Sequence, residues 1–208
     1  MVMAEATNHY FKHLGVSDGL SQVCIPSIYQ DELGAVWLGT TEGLNRYNGK
    51  DVKVFQPSES NHGLTNNEIN ELCGDKNGRM YIRSGNDLIK LDIYTEQFTC
   101  LRQKGVYGLF CKKDTLWVSC ADGIYYYTGQ GTELTFFARV QKGFVGRALY
   151  VDKETVWVVT RKYLVAISRE DPLRQEILLT LDKGNCILGD SSGNIWVGAW
   201  NGLYRISP

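Results

Sequence analysis

The sequence predicts an all-β chain, a β-propeller made of five four-stranded blade repeats of about 40 residues each. Three observations predict it: a composition that favours strands and turns, a large aromatic residue recurring at a near-constant interval, and apolar residues at two fixed offsets from each aromatic. The 208 residues include 22 Gly, 12 Tyr and 5 Trp but only 4 Pro. Aromatic side chains favour pleated surfaces and glycine favours tight turns.

The repeat is anchored on a large aromatic residue within a short apolar run. The five anchors are Trp37, Tyr81, Trp117, Trp157 and Trp196, separated by 44, 36, 40 and 39 residues. An aliphatic residue stands seven positions after each anchor, and a large apolar residue stands ten positions after it. Segments of this kind with no helical period indicate blades, which bury both faces only when neighbours stack on them. A β-sandwich with accidental spacing is the alternative.

Each unit is predicted to contain four strands in the same order. In the first unit, Ile28 marks the first strand, Trp37 the second and Leu44 the third, and the run 52–55 forms the fourth. The blades are expected at about residues 23–58, 67–104, 105–141, 142–183 and 184–208, all within a single domain, 1–208.

The last unit stops after its third strand. The N-terminal segment, residues 1–22, contains an apolar stretch at 9–14 that could supply the missing strand and close a five-bladed ring. The other interpretation is that the five blades are part of a larger propeller. The sequence leaves both open.

Three aspartates are predicted to cap turns rather than to act as catalysts. Asp31, Asp75 and Asp190 are each followed three residues later by glycine, as in type I turns. An aspartate used once per blade is spread around a ring, whereas a glycosidase needs one convergent carboxylate pair. The motif at Asp75 also lacks the further acidic ligands of a calcium loop, so no metal site and no cofactor are predicted.

Composition excludes several function classes. Lys and Arg total 22 and Asp and Glu total 23, so no basic excess exists for nucleic acid. No apolar run is long enough for a membrane helix, and residues 1–10 show no signal peptide.

The six cysteines contain no CxxC pair, which argues against a zinc site, and their spacing alone identifies no disulfide. The GxSxG string at 15–19 lacks the strand, helix and downstream partners of a nucleophile elbow, so no catalytic residue is predicted.

The amino-acid sequences of three units resemble the two-component regulator propeller repeat. Residues 19–47, with Gly19-Leu20-Ser21 and the run from Gly34 to Tyr47, carry the resemblance most fully, and 63–81 and 190–204 look like further copies. The resemblance implies the N-terminal periplasmic sensor region of a hybrid two-component regulator, with seven blades per propeller and the histidine kinase in later parts of the polypeptide. Glycan fragments are the ligands that such sensors detect.

A ligand face is predicted at the turns between second and third strands, which emerge on the same side as the links between blades. Most of these turns carry small or polar residues, but Trp200 adds an exposed aromatic and Arg161-Lys162 adds two cations. Such groups can stack on a sugar and pair with a carboxylate or sulfate. The candidate ligand-binding residues are Glu42, Asp122, Arg161, Lys162, Trp200 and Asn201.

The leading functional hypothesis is therefore a non-catalytic, extracytoplasmic, ligand-binding propeller that detects an oligosaccharide. Its expected partners are the kinase parts of the same polypeptide and, as an assembly, a homodimer. The alternatives are a small propeller glycoside hydrolase or lyase and a scaffold that binds only protein, because propellers host all three kinds of function.

Overall fold

The computed structural model describes residues 11–57 and 63–207, and in this part of the chain nineteen strands form five antiparallel sheets. The first sheet contains β1 (Ser27–Gln30), β2 (Val36–Thr40), β3 (Gly43–Tyr47) and β4 (Val52–Phe55). The second contains β5 (Ile69–Gly74), β6 (Arg79–Ser84), β7 (Asp87–Asp92) and β8 (Gln97–Arg102). The third contains β9 (Val106–Lys112), β10 (Thr115–Cys120), β11 (Gly123–Tyr127) and β12 (Thr135–Ala138).

The last two sheets follow the same plan. The fourth contains β13 (Gly146–Val151), β14 (Thr155–Thr160), β15 (Tyr163–Ser168) and β16 (Gln175–Thr180). The fifth has three strands, β17 (Cys186–Gly189), β18 (Ile195–Ala199) and β19 (Gly202–Ile206). Two single-turn 3₁₀ helices, Val16–Asp18 and Gln141–Gly143, complete the described structure, in which no helix is long and apolar enough to cross a membrane. The predicted all-β organisation in five blade units is confirmed.

The blades are arranged around their first strands. Every sheet is a meander in which strands adjacent in sequence are also adjacent in space. Strands β1, β5, β9, β13 and β17 contact one another in that order, which places the first strand of each blade innermost. Within the described residues, no contact of comparable extent joins β17 to β1.

The hydrophobic core lies between blades rather than inside one sheet. One apolar layer joins the first two blades through Trp37, Leu44, Ile69 and Met80, and three equivalent layers join each later pair. A single β-sheet cannot bury both of its faces, so each blade depends on its neighbours for burial. This dependence explains why second strands such as Val36–Thr40 and Thr155–Thr160 are largely apolar along their length.

The five aromatic anchors occupy equivalent places in the second strand of each blade, as predicted. Trp37, Tyr81 and Trp117 are buried, and Trp157 and Trp196 are half-buried, so burial of the anchor is less complete in the last two blades. The reason is that each anchor packs toward the next blade along the chain. Trp157 faces a three-stranded sheet, and no further blade follows Trp196 among the described residues.

The turn aspartates cap their turns and also hold the anchors. Asp31 Oδ1 accepts hydrogen bonds from the amides of Leu33 and Ala35 at 3.0 and 2.8 Å, and its Oδ2 accepts the Trp37 indole N–H at 2.7 Å. Asp152 and Asp190 hold their own tryptophans in the same way, at 2.7 and 2.9 Å. In the second blade the anchor is a tyrosine without an N–H, and Asp75 pairs with Arg79 instead. The predicted turn-capping role is confirmed.

The N-terminal segment does not form the expected closing strand in its described part. Residues 11–14 form no strand, and residues 9 and 10 of the expected closing strand lie outside the described residues. The segment packs on the first blade instead. Ser21 donates its amide to Asn45 Oδ1 at 2.9 Å, and Lys12 Nζ donates to the Tyr47 hydroxyl at 3.2 Å. These contacts hold the segment beside β3 of the first blade rather than beside β19.

Candidate ligand-binding face

One face of the molecule is built from the turns between second and third strands and from the links between blades. The two kinds of segment are joined by backbone hydrogen bonds. Gly43 donates to Asn67 O at 2.8 Å, and Trp200 donates to Asp182 O at 2.8 Å. Each turn is therefore fixed to a neighbouring link, as the antiparallel meander predicts. The side chains on these turns stand on a rigid backbone.

A cavity of about 410 Å³ opens on this face between the fourth and fifth blades. It is lined by Arg147, Arg161, Lys183 and Trp200, together with small residues of the link and of β17 and β18. None of the described residues that line it is acidic. Trp200 is 78% exposed, and Lys183 Nζ lies 4.8 Å from the centre of its indole. The cavity therefore combines three cations with an open aromatic surface.

A second, smaller cavity of about 240 Å³ lies beside the first. Arg147 and Arg161 line both cavities, and Lys162 lines the smaller one with Tyr107 and Phe144. The two sites thus share their arginines and form one extended basic surface. Because the chain as a whole has a formal charge of −1, this surface is a local feature rather than part of a general positive excess.

The structure brings only part of the predicted set together. Arg161, Lys162 and Trp200 lie at the two adjoining cavities, whereas Glu42 and Asp122 line neither of them. Asn201 neighbours Trp200, but its amide donates to the Tyr204 hydroxyl at 2.8 Å.

The Asp122 carboxylate is occupied within its own blade. It accepts hydrogen bonds from Arg102 Nη2 at 2.7 Å and from the Tyr125 hydroxyl at 2.8 Å. Burial raises the pKa of Asp122, but these two hydrogen bonds outweigh that effect and leave its pKa below the usual value. Asp122 is thus an ionised partner of Arg102 rather than a free group on the face.

The innermost strands line a third space that the sequence did not indicate, an open channel of about 720 Å³. All five blades contribute to its lining, for example through Ser27, Glu71, Ala148 and Cys186. One position recurs in all five first strands, two residues before the residue that pairs with the anchor of the same blade. It is occupied by Ser27, Glu71, Gly108, Ala148 and Cys186, and four of these five side chains are small. Comparing these positions across the repeats would have singled out Glu71.

Glu71 lies opposite Arg83 on neighbouring strands at the channel. Glu71 Oε2 accepts the amide of Leu109 at 3.1 Å, and Arg83 Nε lies 3.4 Å from the same oxygen. The Arg83 Nε makes no hydrogen bond, so the pair is incompletely satisfied. Burial raises the pKa of Glu71 to about 7, against the opposing effects of Arg83 and the Leu109 amide. Glu71 therefore titrates near neutral pH.

The raised pKa of Glu71 predicts a pH-dependent stability. Between its ordinary pKa of 4.5 and about 7, the folded chain holds a proton that the unfolded chain has released. Unfolding releases that proton, so raising the pH across this window lowers the free energy of unfolding, by about 1 to 3 kcal/mol. Urea unfolding of wild type and Glu71→Gln at pH 5 and pH 8 measures the effect. The Gln variant should lose much less stability over that range.

Glu170→Gln is the matched control, because Glu170 is exposed in the loop between β15 and β16. It should keep the wild-type slope. If wild type and Glu71→Gln show the same change between pH 5 and pH 8, the Glu71 carboxyl does not titrate in this window.

The described residues assemble no recognisable catalytic centre. Ser17, in the GxSxG string, lies in a 3₁₀ turn rather than between a strand and a helix. The one histidine downstream of it in the sequence, His62, lies outside the described residues. No group of three or more His, Cys, Asp or Glu side chains is placed to hold a metal ion in residues 11–57 and 63–207. The geometry that stands out is a basic, aromatic surface suited to binding.

Comparison with known proteins agrees with the resemblance drawn from the motif. The family model of the two component regulator propeller matches residues 19–42. A curated relative, histidine kinase P4 of Formosa agariphila, is 40% identical over 53 residues, which are 26% of this chain and 4% of the relative. The resemblance to two-component regulator propeller repeats is thereby confirmed.

Solved structures share the fold over most of the chain. A crystal structure described as the extracellular domain of a hybrid two component system of B. thetaiotaomicron aligns with a TM-score of 0.82 and 23% identity, covering 94% of this chain and 30% of that one. A gluconolactonase of Xanthomonas campestris aligns with a TM-score of 0.64 and 13% identity, covering 86% of this chain and 70% of that one. The chain thus spans under a third of the two-component structure and has the propeller fold.

Proposed function

We propose that this chain, which carries a two-component regulator propeller repeat at residues 19–42, is part of the extracytoplasmic ligand-binding region of a hybrid two-component sensor. The match to a histidine kinase and the shared fold with an extracellular sensor domain support this proposal. In this role the propeller binds without chemical turnover, and kinase parts of the same polypeptide carry the signal onward.

We further propose that the ligand is an acidic oligosaccharide bound at the cavity between the fourth and fifth blades. The observation that carries this proposal is the set of three cations, Arg147, Arg161 and Lys183, around the exposed Trp200. An arginine guanidinium pairs with a carboxylate or sulfate through two parallel hydrogen bonds. An exposed indole offers a large amphipathic surface for the apolar face of a sugar. The absence of acidic lining residues from the described cavity leaves its cations available.

Calorimetric titration with trigalacturonate and with neutral galactotriose tests the ligand class. The acidic sugar should bind more tightly, and its affinity should fall as salt screens the charges. Arg161→Ala should weaken binding of the acidic sugar about 10- to 100-fold, the range for hydrogen bonds to charged groups. Arg161→Lys should lie between the two, because lysine keeps the charge without the planar fork.

The control variant is Arg139→Ala, which removes an exposed arginine that lines neither cavity. It should bind like wild type. Equal affinity for both sugars, or unchanged affinity in Arg161→Ala, would place the ligand elsewhere.

Product analysis of the same titrations, and of a separate incubation with gluconolactone, tests the absence of turnover. Because a gluconolactonase shares the fold, a sugar lactone is the alternative substrate to test. Chain cleavage or lactone hydrolysis that a single carboxylate substitution abolishes would replace the sensor proposal with an enzymatic one.

A further inference from the structure

Two cysteines on the innermost strands of neighbouring blades meet. Cys73, near the end of β5, and Cys111, near the end of β9, have their sulfur atoms 2.8 Å apart, although the residues are 38 positions apart in sequence. A disulfide has its sulfur atoms about 2.05 Å apart, so a small side-chain adjustment suffices to form the bond. The other cysteines show no comparable approach among the described residues.

The surroundings hold the two thiols in place. Both pack against the apolar layer between the second and third blades, which includes Tyr81 and Leu116. The strands that carry them are in direct contact, and each is fixed within its own sheet. The two sulfur atoms are therefore neighbours because of the fold and not because of a mobile loop.

We propose that Cys73 and Cys111 form a disulfide that covalently links the second and third blades. Its formation in the cell rests on the extracytoplasmic location proposed above, since disulfides form and persist in oxidising compartments. The geometry on which the bond depends is independent of that location and of the ligand.

The oxidant is a disulfide-bearing molecule, either a thiol oxidase protein or oxidised glutathione. One cysteine loses its proton and its thiolate attacks the oxidant's disulfide, which forms a mixed disulfide and releases one thiol. The second thiolate attacks the sulfur of the first cysteine and releases the other thiol. Two electrons and two protons pass from the cysteine pair to the oxidant, which ends as two thiols.

The bond is expected to form most readily during folding. Burial raises the pKa of the Cys73 thiol well above its usual value, so the thiolate needed for exchange is scarce in the folded chain. Refolding with a mixture of oxidised and reduced glutathione is therefore the condition that tests the proposal.

The test is peptide mapping of the refolded protein after free thiols have been alkylated without reduction. We expect one cross-linked peptide that joins Cys73 to Cys111, while Cys24, Cys100, Cys120 and Cys186 are alkylated. The closed loop should raise the melting temperature by roughly 5 to 10 °C relative to the same protein in reductant. Two alkylated thiols at positions 73 and 111, or a bond joining different cysteines, would overturn the proposal.

Matched double variants separate the bond from the rest of the molecule. The variant Cys73→Ala/Cys111→Ala should melt at the same temperature with and without reductant. The variant Cys24→Ala/Cys100→Ala, which removes two cysteines that line neither ligand cavity, should keep the reductant-dependent shift. If the first variant keeps the shift, another pair is responsible. Trigalacturonate binding by these variants is a separate readout, so failure of the sensor proposal and failure of the disulfide are distinguishable.

Discussion

Trp37→Ala is expected to lower the free energy of unfolding by about 3 to 5 kcal/mol, the range for truncating a large buried aromatic residue. Trp37 has no exposed surface, and its ring stacks on Phe55 with centroids 5.7 Å apart. The substitution removes this packing from the layer between the first two blades and leaves Asp31 Oδ2 without the indole donor. Urea unfolding followed by tryptophan fluorescence and by circular dichroism measures the loss.

The same substitution at two other tryptophans provides controls for the stability loss at Trp37. Trp200→Ala makes the same change at a residue that is 78% exposed, and it should alter stability by less than about 0.5 kcal/mol. Trp157→Ala should fall between the two because Trp157 is half-buried. Equal losses at Trp37 and Trp157 would contradict the dependence of each anchor on the blade that follows it.

Asp31→Ala is expected to cost about 2 to 4 kcal/mol, although it removes only a short polar side chain. The carboxylate is 4% exposed and accepts three hydrogen bonds, two from turn amides and one from the Trp37 indole. Its removal leaves the indole N–H buried without a partner, and an unsatisfied buried donor costs about 1 to 3 kcal/mol by itself. The measurement is again equilibrium urea unfolding.

A second variant separates the two roles of Asp31. In Asp31→Asn the amide oxygen can still accept the turn amides, but the amide nitrogen meets the indole N–H as donor against donor. This variant should lose mainly the indole bond. Asp171→Ala is the control, since Asp171 accepts the Leu173 amide at 3.1 Å in an exposed turn. A loss at Asp171 as large as that at Asp31 would show that turn capping alone, and not the indole bond, sets the energy.

The sequence alone predicts the blades because the constraint on them is local and repeats. Each sheet needs an aromatic residue in its second strand, apolar residues at fixed offsets and a turn that begins at aspartate. These requirements recur every 36 to 44 residues, so they are visible without coordinates. It also indicated Arg161 and Trp200, because they depart from the small or polar residues at matching turns. The sequence did not show that Arg147 and Lys183 join them, since these residues lie on a first strand and on a link.

Features that depend on contact between two blades are visible in the folded chain and not in the repeat pattern. The pairing of Cys73 with Cys111 follows from contact between β5 and β9, which spacing does not encode. The raised pKa of Glu71 follows from burial at the channel that all five first strands line. The half-burial of Trp157 depends on what the fifth sheet covers. A repeat pattern specifies what each blade presents, whereas burial, proximity and electrostatics depend on the surface that the next blade places against it.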